Sequence, residues 1–325
     1  MWFFKKFHYY YTNIDDSLLG KNIFHEIYIF IDYLFNFLIQ GSSLTNYFIY
    51  SFYSLRNAEK RKYVTWRRQR WIYRQCNDPD YIHKLRDKNL INEIFGDYLM
   101  RDWLLPDEKT FEQFAQFVAD NPVFIAKPAL GTEGAGVKKF DVSAADEAAL
   151  QAIYEELQGK QYLLERYIKQ HPQIHCLHPQ SVNTIRLTTI RNRDGVNILT
   201  AALRMGRADS VVDNYTTGGI VASVDLATGI VSSRGVDKMH HEFIVHPDTN
   251  EAIIGRQIPK WEEVKAFVKK LGEVVPQVRY TGWDIAITED GPVLLEGNYQ
   301  GNFHVQQHPD HTGKFKLFKE TIKRI

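Results

Sequence analysis

Two short apolar segments near the end of the chain, residues 283–288 and 292–296, constrain its fold more than any other part of the sequence. The residues between them, Glu289-Asp290-Gly291, finish on a glycine, which tolerates the positive φ that a three-residue hairpin loop requires. The spacing therefore predicts an antiparallel β-hairpin, and the alternation of side chains along its strands decides which residues share a face.

The predicted hairpin brings three oxygen-bearing side chains together. If Thr288 pairs with Pro292, then Asp284 lies opposite Glu296, and Asn298 falls on the same face as Glu296. Facing carboxylates repel each other, and two carboxylates with one amide oxygen are ligands that suit Mg²⁺ held together with phosphate. A two-residue loop would put Glu296 and Asn298 on the face opposite Asp284. The other alternative is an edge hairpin whose acids are solvated.

A second informative stretch is IAKPALGTEGAGV, residues 125–137, in which three glycines follow a lysine. Gly131, Gly134 and Gly136 allow backbone N–H groups to approach an anion closely. The lysine of a Walker A loop follows its glycines, whereas Lys127 precedes them, so the stretch is not that loop. It is not a dinucleotide fingerprint either, because no acidic residue for the ribose follows at the right distance. We expect Lys127 to hold a phosphate from one side while the loop covers the other. An ordinary glycine turn is the alternative.

The predicted strand over residues 161–168 carries the charged pair Glu165-Arg166 within an apolar run. A charged group in such a run needs polar partners. The adenine and ribose of a nucleotide are one choice of partner for Glu165, and a salt-bridged strand is the other.

The composition of the whole chain excludes several classes of protein. Its 325 residues suit one large domain or two ordinary ones, and a net charge of +1 gives no indication of nucleic-acid binding. Cys76 and Cys176 supply neither a disulfide framework nor zinc-finger spacing. Because the basic, aromatic start lacks a secretory signal, we expect a cytoplasmic protein.

The first 75 residues differ in composition from the rest. They hold 22 of the 44 aromatic residues, and their 11 Lys and Arg exceed their 5 Asp and Glu. Within residues 23–39, His25, Asp32 and Asn36 fall on one side at helical spacing. Such residues are expensive in a bilayer, so an amphipathic helix fits better than a span. The other side of this helix carries Ile27, Ile31, Leu34 and Leu38.

We divide the chain into a helical, basic and aromatic N-terminal region, residues 1–75, and a main domain, residues 76–325. One interpretation is that the N-terminal region lies on an anionic membrane surface, at the inner face of the membrane. Another is that it docks an anionic or sugar-bearing acceptor. Alternatively, it packs its aromatics on the main domain and leaves a solvated basic face. The main domain alternates helices and strands and then becomes strand-rich, which is an α+β pattern.

The periodicity predicts the individual elements of the main domain. Helices are expected over residues 80–103, 107–119, 143–157 and 259–271, and strands over residues 123–127, 161–168, 183–191, 197–203, 219–225 and 230–233.

A strand lysine before a glycine loop, an apolar strand with a glutamate, and a late Asp…Glu-x-Asn hairpin, in this order, resemble the ATP-grasp superfamily. The similarity is greater to the ATP-grasp proteins associated with sugar transfer, which are similar to glutamate-ligase-like members. The phrases DKNLINEIFGDYL, SVNTIRLTT, DNYTTGGIVASVDLATG and EGNYQGN carry this resemblance. It extends from about residue 41 onward and implies two α+β lobes that grip ATP, at about residues 110–170 and 175–325.

The resemblance implies a role for each matching residue. ATP and one or two Mg²⁺ ions are the implied cofactors, and Arg186 is the candidate to meet the γ-phosphate or an acyl phosphate, with Lys127 as its catalytic partner. The implied nucleotide-binding residues are Lys88, Lys127, Gly131, Gly134, Gly136, Glu165, Tyr167 and Ile168; the implied metal ligands are Asp284, Glu296 and Asn298; the implied substrate contacts are Arg204, Asn214, Gly218 and Gly219.

The implied activity is that of an ATP-dependent carboxylate–amine ligase that forms an amide through an acyl phosphate. Its partners would be an amine and a carboxylate on a sugar acid or sugar-linked precursor in surface polysaccharide biosynthesis. One alternative is a kinase-like ATP-grasp phosphotransferase. Another is a non-catalytic nucleotide-binding module of a polysaccharide assembly complex, attached through residues 1–75.

Overall fold

The computed structural model describes residues 2–14, 22–128 and 136–325. Its α-helices are α1 (Trp2–Asn13), α2 (Ile23–Gln40), α3 (Leu44–Ile49), α4 (Asn57–Lys60), α5 (Trp66–Cys76), α6 (Lys88–Ile94), α7 (Gly96–Leu99), α8 (Phe111–Asp120), α9 (Glu147–Leu157), α10 (Pro172–His175), α11 (Trp261–Val274), α12 (His304–Gln307) and α13 (Phe315–Ile322). Short 3₁₀ helices cover Ile82–Leu85, Pro106–Glu108 and Tyr215–Thr217. The strands are β1 (Trp103–Leu104), β2 (Val123–Pro128), β3 (Lys138–Asp141), β4 (Tyr162–Arg166), β5 (Thr184–Asn192), β6 (Gly195–Met205), β7 (Ile220–Val224), β8 (Gly235–Val236), β9 (Glu242–Phe243), β10 (Tyr280–Ile287) and β11 (Pro292–Asn298).

Within the described residues the strands form two antiparallel sheets. The small sheet has the order β1-β4-β2-β3, and the large sheet has the order β11-β10-β5-β6-β7-β8-β9. The chain passes from the small sheet to the large one between β4 and β5. The mixture of helices with two separate antiparallel sheets is the α+β architecture that the sequence predicts.

The hairpin of β10 and β11 has a different loop from the one expected, yet it brings the same residues together. Thr288 and Gly291 exchange backbone hydrogen bonds of 2.9 and 3.3 Å, so the loop has two residues and the expected pairing of Thr288 is wrong. An unbroken ladder would place Asp284 opposite Leu295, but the register shifts and Asp284 lies opposite Glu296. One extra residue in β11 therefore cancels the effect of the shorter loop.

The large sheet separates an apolar core from a polar face. Leu187, Leu203 and Ile285 point to one side, where they pack with Val264 and Leu271 of α11 in a single buried cluster. Because side chains alternate along a strand, the residues between them point to the other side. The small sheet has its own core against α8 and α9.

The N-terminal helices pack directly on the large sheet. Phe7 of α1 and Phe48 of α3 share one buried cluster with Ala202 of β6. The side-chain amide of Asn46 lies 2.8 Å from Nε2 of His304 in α12. The aromatic bias of the first 75 residues is therefore used in packing against the main domain, as one of the sequence interpretations holds.

Helix α2 turns its polar side toward the protein and its apolar side outward. Asn36 is fully buried, and Asp32 accepts a 2.7 Å hydrogen bond from the hydroxyl of Tyr47. No helix in the described ranges combines the length and the apolar character needed to cross a membrane. The exposed side of α2 carries Ile23, Phe24, Ile27, Tyr28, Ile31, Leu34, Phe35, Leu38 and Ile39.

Some element boundaries differ from the expected ones because local hydrogen bonds decide them. The helix expected from residue 143 begins at Glu147, since Asp146 caps it by accepting a 2.9 Å hydrogen bond from Ala149 N–H, while Ser143 bonds to Asp141. The continuous helix expected over 80–103 is divided into Ile82–Leu85, α6 and α7 before β1. The strand expected over 230–233 is wrong, because only single residues there pair with Val224 and Gln257.

Candidate active site

A cavity of about 460 Å³ lies between the two sheets. One wall comes from β2 and β4 of the small sheet, and the other comes from the polar face of the large sheet. A cavity of this volume suits a small-molecule ligand. Its charged lining residues are Lys88, Arg101, Lys127, Lys139, Glu165, Arg166, Arg186, Arg204, Asp213, Asp284 and Glu296.

Three neighbouring strands place charged side chains in one row across the large sheet. Asp284 on β10 pairs with Glu296 of β11 on one side and with Arg186 of β5 on the other. Nε and Nη2 of Arg186 donate to the two carboxylate oxygens of Asp284 at 2.5 and 2.7 Å. Nη1 of Arg204 lies 2.7 Å from Oδ1 of Asp284, and Asn298 donates its amide to Oδ2 at 3.3 Å. The Asp284 carboxylate is thus held between two guanidinium groups.

The arginines keep Asp284 ionised. Burial alone would raise the pKa of Asp284, but the charges of Arg186 and Arg204 outweigh it and lower the pKa to about 2. Arg204 also forms a 2.9 Å ion pair with Asp213, whose pKa is raised by burial. The centre of the site therefore holds a permanent anion whose charge is compensated by the protein.

Glu296 has a different environment from Asp284. Over the part of the chain that the structure describes, its carboxylate forms neither a hydrogen bond nor an ion pair, although it lines the cavity and is only partly exposed. The oxygens of Glu296, Asp284 and Asn298 form a hard donor set that fits Mg²⁺. A cation at Asp284 would compete with Arg186, which binds both oxygens of that carboxylate.

Opposite this row, Glu165 on β4 holds the phosphate-binding candidate Lys127. Nζ of Lys127 lies 2.8 Å from Oε2 of Glu165, while Arg101 and Asn92 donate to Oε1 at 2.8 and 3.0 Å. Burial would raise the pKa of Glu165, but the charges and hydrogen bonds of Arg101 and Lys127 lower it to about 2. Both oxygens of Glu165 are therefore engaged in the salt-bridged arrangement that the sequence left open, and the carboxylate positions Lys127.

The second predicted lysine comes from a helix. Lys88 is the first residue of α6, and Asp87 caps this helix by accepting a 2.9 Å hydrogen bond from Asn89 N–H. Nζ of Lys88 donates to the carbonyl of Pro128 at 2.8 Å, next to the end of β2. Burial lowers the pKa of Lys88, and the charge of Glu296 opposes this shift, so the lysine and the carboxylate lie near each other.

The other predicted residues divide into two groups. Tyr167, Ile168 and Asn214 line the cavity, whereas Gly218 and Gly219 do not. Gly219 packs instead against the backbone of Asn214 and Asp213, where an added Cβ would lie 2.8 Å from the carbonyl oxygen of Asn214. These two glycines therefore belong to a turn next to the cavity, and neither lines the space in which a substrate contact is predicted. Gly131 and Gly134 lie outside the described residues, and Gly136 has a φ of +77°.

Two lining residues that matter were missed in the sequence. Arg101 is buried and holds Glu165, and Asp213 is buried and holds Arg204. The position of Asp213 beside the predicted Asn214 is a signal that could have found it. No local pattern distinguishes Arg101, because its partner lies 64 residues away.

A comparison with models of known protein families identifies the family of this chain. The family model described as sugar-transfer associated ATP-grasp matches residues 67–323. The chain belongs to this family. The match covers β1 to β11 and all of the predicted site residues, so the family and the ATP-grasp fold expected from the sequence are confirmed. No curated protein matches the chain.

Solved structures that resemble the chain are distant in sequence. The ATP-grasp ligase PsnB, in complex with a minimal precursor, Mg and ADP, is 15% identical with a TM-score of 0.47, and the match covers 77% of this chain and 62% of PsnB. For N5-carboxyaminoimidazole synthetase from Staphylococcus aureus, complexed with ADP, these values are 12%, 0.48, 75% and 52%. For D-alanine–D-alanine ligase from Bacillus anthracis they are 15%, 0.43, 74% and 68%. The chain thus spans less than two thirds of the first two proteins.

The buried ion pair of Glu165 and Arg101 should contribute to the stability of the folded chain. Glu165→Gln leaves the guanidinium of Arg101 buried without a counter-charge, so we expect the free energy of unfolding at neutral pH to fall by about 3–5 kcal/mol. Urea denaturation measures this change. The matched control is Glu156→Gln, which removes an exposed ion pair with Lys138 and should leave the free energy of unfolding nearly unchanged.

The same variant tests the pKa of Glu165. The carboxylate titrates at about 2 in the folded protein and near its ordinary value of 4.5 when unfolded, so its stabilising effect is present above 4.5 and is lost as the pH falls toward 2. Wild-type stability should decline across this range more steeply than that of Glu165→Gln. Parallel declines in the two proteins would show that Glu165 is not the group responsible.

Proposed function

We propose that the chain is an ATP-dependent carboxylate–amine ligase that activates the carboxylate of a sugar acid or sugar-linked precursor. The observation that carries this proposal is the position of Glu296. A partly buried carboxylate, which has no hydrogen-bond or ion-pair partner among the described residues, faces two lysines across one cavity and lies beside a second carboxylate held by arginines. Such a distribution of charge suits a polyphosphate bound with a divalent cation.

Lys127 and Lys88 are the residues that would hold the phosphates of ATP. Both ammonium groups are anchored, one by Glu165 and the other by the carbonyl of Pro128, so neither needs to be ordered when the nucleotide binds. Tyr167 and Ile168 line the cavity on the side of the small sheet, where adenine would lie between the two sheets. This preorganisation stabilises the charge that develops during phosphoryl transfer.

Asp284, Glu296 and Asn298 would hold one or two Mg²⁺ ions, which would supply positive charge against the phosphate oxygens of ATP. Arg186 and Arg204 compensate the charge of Asp284 before any ligand binds. Their guanidinium groups lie at the place where a second anion, the acceptor carboxylate, would enter. We assign both arginines to orienting that carboxylate and to stabilising the phosphoryl group it receives.

The proposed reaction has two steps. An oxygen of the acceptor carboxylate attacks the γ-phosphorus of ATP, the bond to the β-phosphate oxygen breaks, and ADP leaves. The amine then attacks the carbonyl carbon of the acyl phosphate, inorganic phosphate leaves, and the nitrogen loses one proton. No nucleophilic side chain is needed. Cys76 would not serve as one, since burial raises the pKa of its thiol to about 12.

Trapping of the acyl phosphate tests this function. With ATP, Mg²⁺, a panel of sugar acids and hydroxylamine in place of the amine, we expect one hydroxamate for each ADP released. Lys127→Ala should slow both by about a hundredfold or more, because it removes a charge that stabilises phosphoryl transfer. The control Lys160→Ala changes an exposed lysine of the small lobe and should be neutral. ADP formed together with a phosphorylated product that resists hydroxylamine would establish a phosphotransferase instead.

The sugar-related part of the proposal is supported by the description of the family, which names an association with sugar transfer. A cytoplasmic enzyme of surface polysaccharide biosynthesis would meet sugar acids and amines as soluble or carrier-linked precursors. The amine and the carboxylate themselves are the partners that the trapping experiment would identify.

We also propose that α2 lies on the inner face of a membrane. Its outward side is apolar along the whole helix, and such a face is unusual for a surface that meets only water. Arg67 donates to the carbonyls of Phe37 and Leu38 at the end of α2, and exposed Arg70 and Arg74 lie on the same helix as Arg67. An apolar helix face beside arginines is typical of a surface that binds anionic lipids.

Flotation with vesicles tests the membrane proposal. Wild-type protein should float with vesicles of phosphatidylcholine and phosphatidylglycerol, and replacement of Ile27, Ile31, Leu34 and Leu38 by Ser should release it. The control replaces four exposed apolar residues elsewhere, Val211, Ile244, Val245 and Ile254, by Ser and should still float. Wild-type protein that does not float but forms dimers, which the α2 variant loses, would show that a second copy covers α2.

A further inference from the structure

A second cavity, of about 510 Å³, adjoins the cavity between the sheets. Gln69, Tyr215, Thr216 and Asn302 line both cavities, so the two are in contact. Asn302 follows the proposed metal ligand Asn298 at the end of β11. The second cavity, which we call the chamber, therefore opens beside the place where phosphoryl transfer is proposed to occur.

One wall of the chamber is built by the N-terminal helices. Lys6, Tyr9 and Tyr10 belong to α1, and Thr45 and Asn46 belong to α3. These residues precede residue 67, where the match to the family begins. Some of the side chains that a ligand in the chamber would contact therefore lie outside the segment that matches the family.

The charges of the chamber favour an anionic ligand. Its lining includes Lys6 and Lys238 and, over the described residues, no aspartate or glutamate. The ammonium of Lys6 lies 5.2 Å from the ring centre of Trp2, and that of Lys238 donates to the carbonyl of Thr216 at 2.6 Å. Neither lysine forms an ion pair with a carboxylate in the described ranges of the chain. Two partly buried cations of this kind attract a phosphoryl or carboxylate group.

The uncharged lining favours a sugar ring. Tyr9, Tyr10 and Trp66 present aromatic surface, and Ser43, Thr45 and Gln69 supply hydroxyl and amide groups. Flat apolar surface next to groups that donate and accept hydrogen bonds suits a pyranose, whose ring has an apolar face and a rim of hydroxyls.

His304 carries a buried ring nitrogen that has no hydrogen-bond partner among the described residues. Asn46 accepts from the backbone N–H of Trp66 through Oδ1 at 2.6 Å, so its Nδ2 donates to Nε2 of His304 at 2.8 Å. The proton of the neutral imidazole is then on Nδ1, which is buried and finds no hydrogen-bond partner among the described residues. Burial lowers the pKa of His304 to about 4, so the ring stays neutral. His304 also lines the chamber, so its neutral ring adds no charge there.

We propose that the chamber binds the phosphoryl end of a phosphorylated sugar acid whose carboxylate reaches Arg186 and Arg204 in the adjoining cavity. Cations line both of the joined cavities, and uncharged groups suited to a sugar line the chamber. This inference rests on the ligase function proposed above and adds the chemical class of its acceptor, a sugar that carries one carboxylate and one phosphate.

Calorimetric binding of sugar acids to the full chain, saturated with Mg²⁺ and a non-hydrolysable ATP analogue, tests the proposal. We expect glucuronic acid 1-phosphate to bind at least tenfold more tightly than glucuronic acid or inorganic phosphate. The double variant Lys6→Gln/Lys238→Gln should remove this advantage, and Lys6→Gln alone should reduce it. Lys5→Gln, which changes the exposed neighbouring lysine of α1, should keep it.

Equal affinities for glucuronic acid and its 1-phosphate in wild-type protein would overturn the proposal. So would an advantage of the phosphate that survives the double substitution. Inorganic phosphate that binds as tightly as the sugar phosphate would reduce the chamber to a phosphate site and overturn the assignment to a sugar. Binding of the ATP analogue is measured first in each variant and should be unchanged, so a failure of the proposed ligase function is seen separately.

Discussion

The burial of Asp284 between Arg186 and Arg204 is the interaction on which the rest of the site depends. Removing charges from water is costly, and the cost is offset only when opposite charges and hydrogen bonds meet them with good geometry. Three adjacent strands, β10, β5 and β6, supply that geometry, because they carry Asp284, Arg186 and Arg204 on the same face of the large sheet. The apolar side chains between them fix this face by packing on α11. The bulge in β11 is needed for Glu296 to join the row.

The sequence predicts which side chains line the site better than it predicts which of them contact each other. The Asp…Glu-x-Asn pattern predicts three oxygen-bearing side chains that the structure brings together, although the hairpin loop is one residue shorter than the expected one. The loop is one residue shorter than expected and β11 contains one extra residue, so the two differences cancel in the register. The pattern of apolar residues does not reveal the bulge at Leu295. The partners of Glu165 were left open for a different reason: Arg101 approaches from 64 residues away, and only the folded chain determines that contact.

The N-terminal helices illustrate a second limit of sequence reasoning. Periodicity correctly divided α2 into a polar and an apolar side, but it does not state which side faces the protein. Tyr47 and the buried Asn36 hold the polar side inward, so the apolar side is left exposed. The same helical region also lines the chamber beside the cavity between the two sheets. The N-terminal region thus contributes both the exposed apolar side of α2 and one wall of the chamber. The membrane proposal and the chamber proposal are independent of each other.

Glu296 and Asp284 lie opposite each other on adjacent strands, and we propose that they form a metal-dependent nucleotide site. The most direct test is calorimetric binding of a non-hydrolysable ATP analogue, with and without Mg²⁺, to wild-type protein and to Glu296→Gln. We expect wild-type protein to bind the analogue only with Mg²⁺. The affinity in Mg²⁺ should be at least tenfold weaker in the variant, because Glu296 has no partner among the described residues and is free to bind a cation. Binding that is equal in both proteins and indifferent to Mg²⁺ would contradict the proposal.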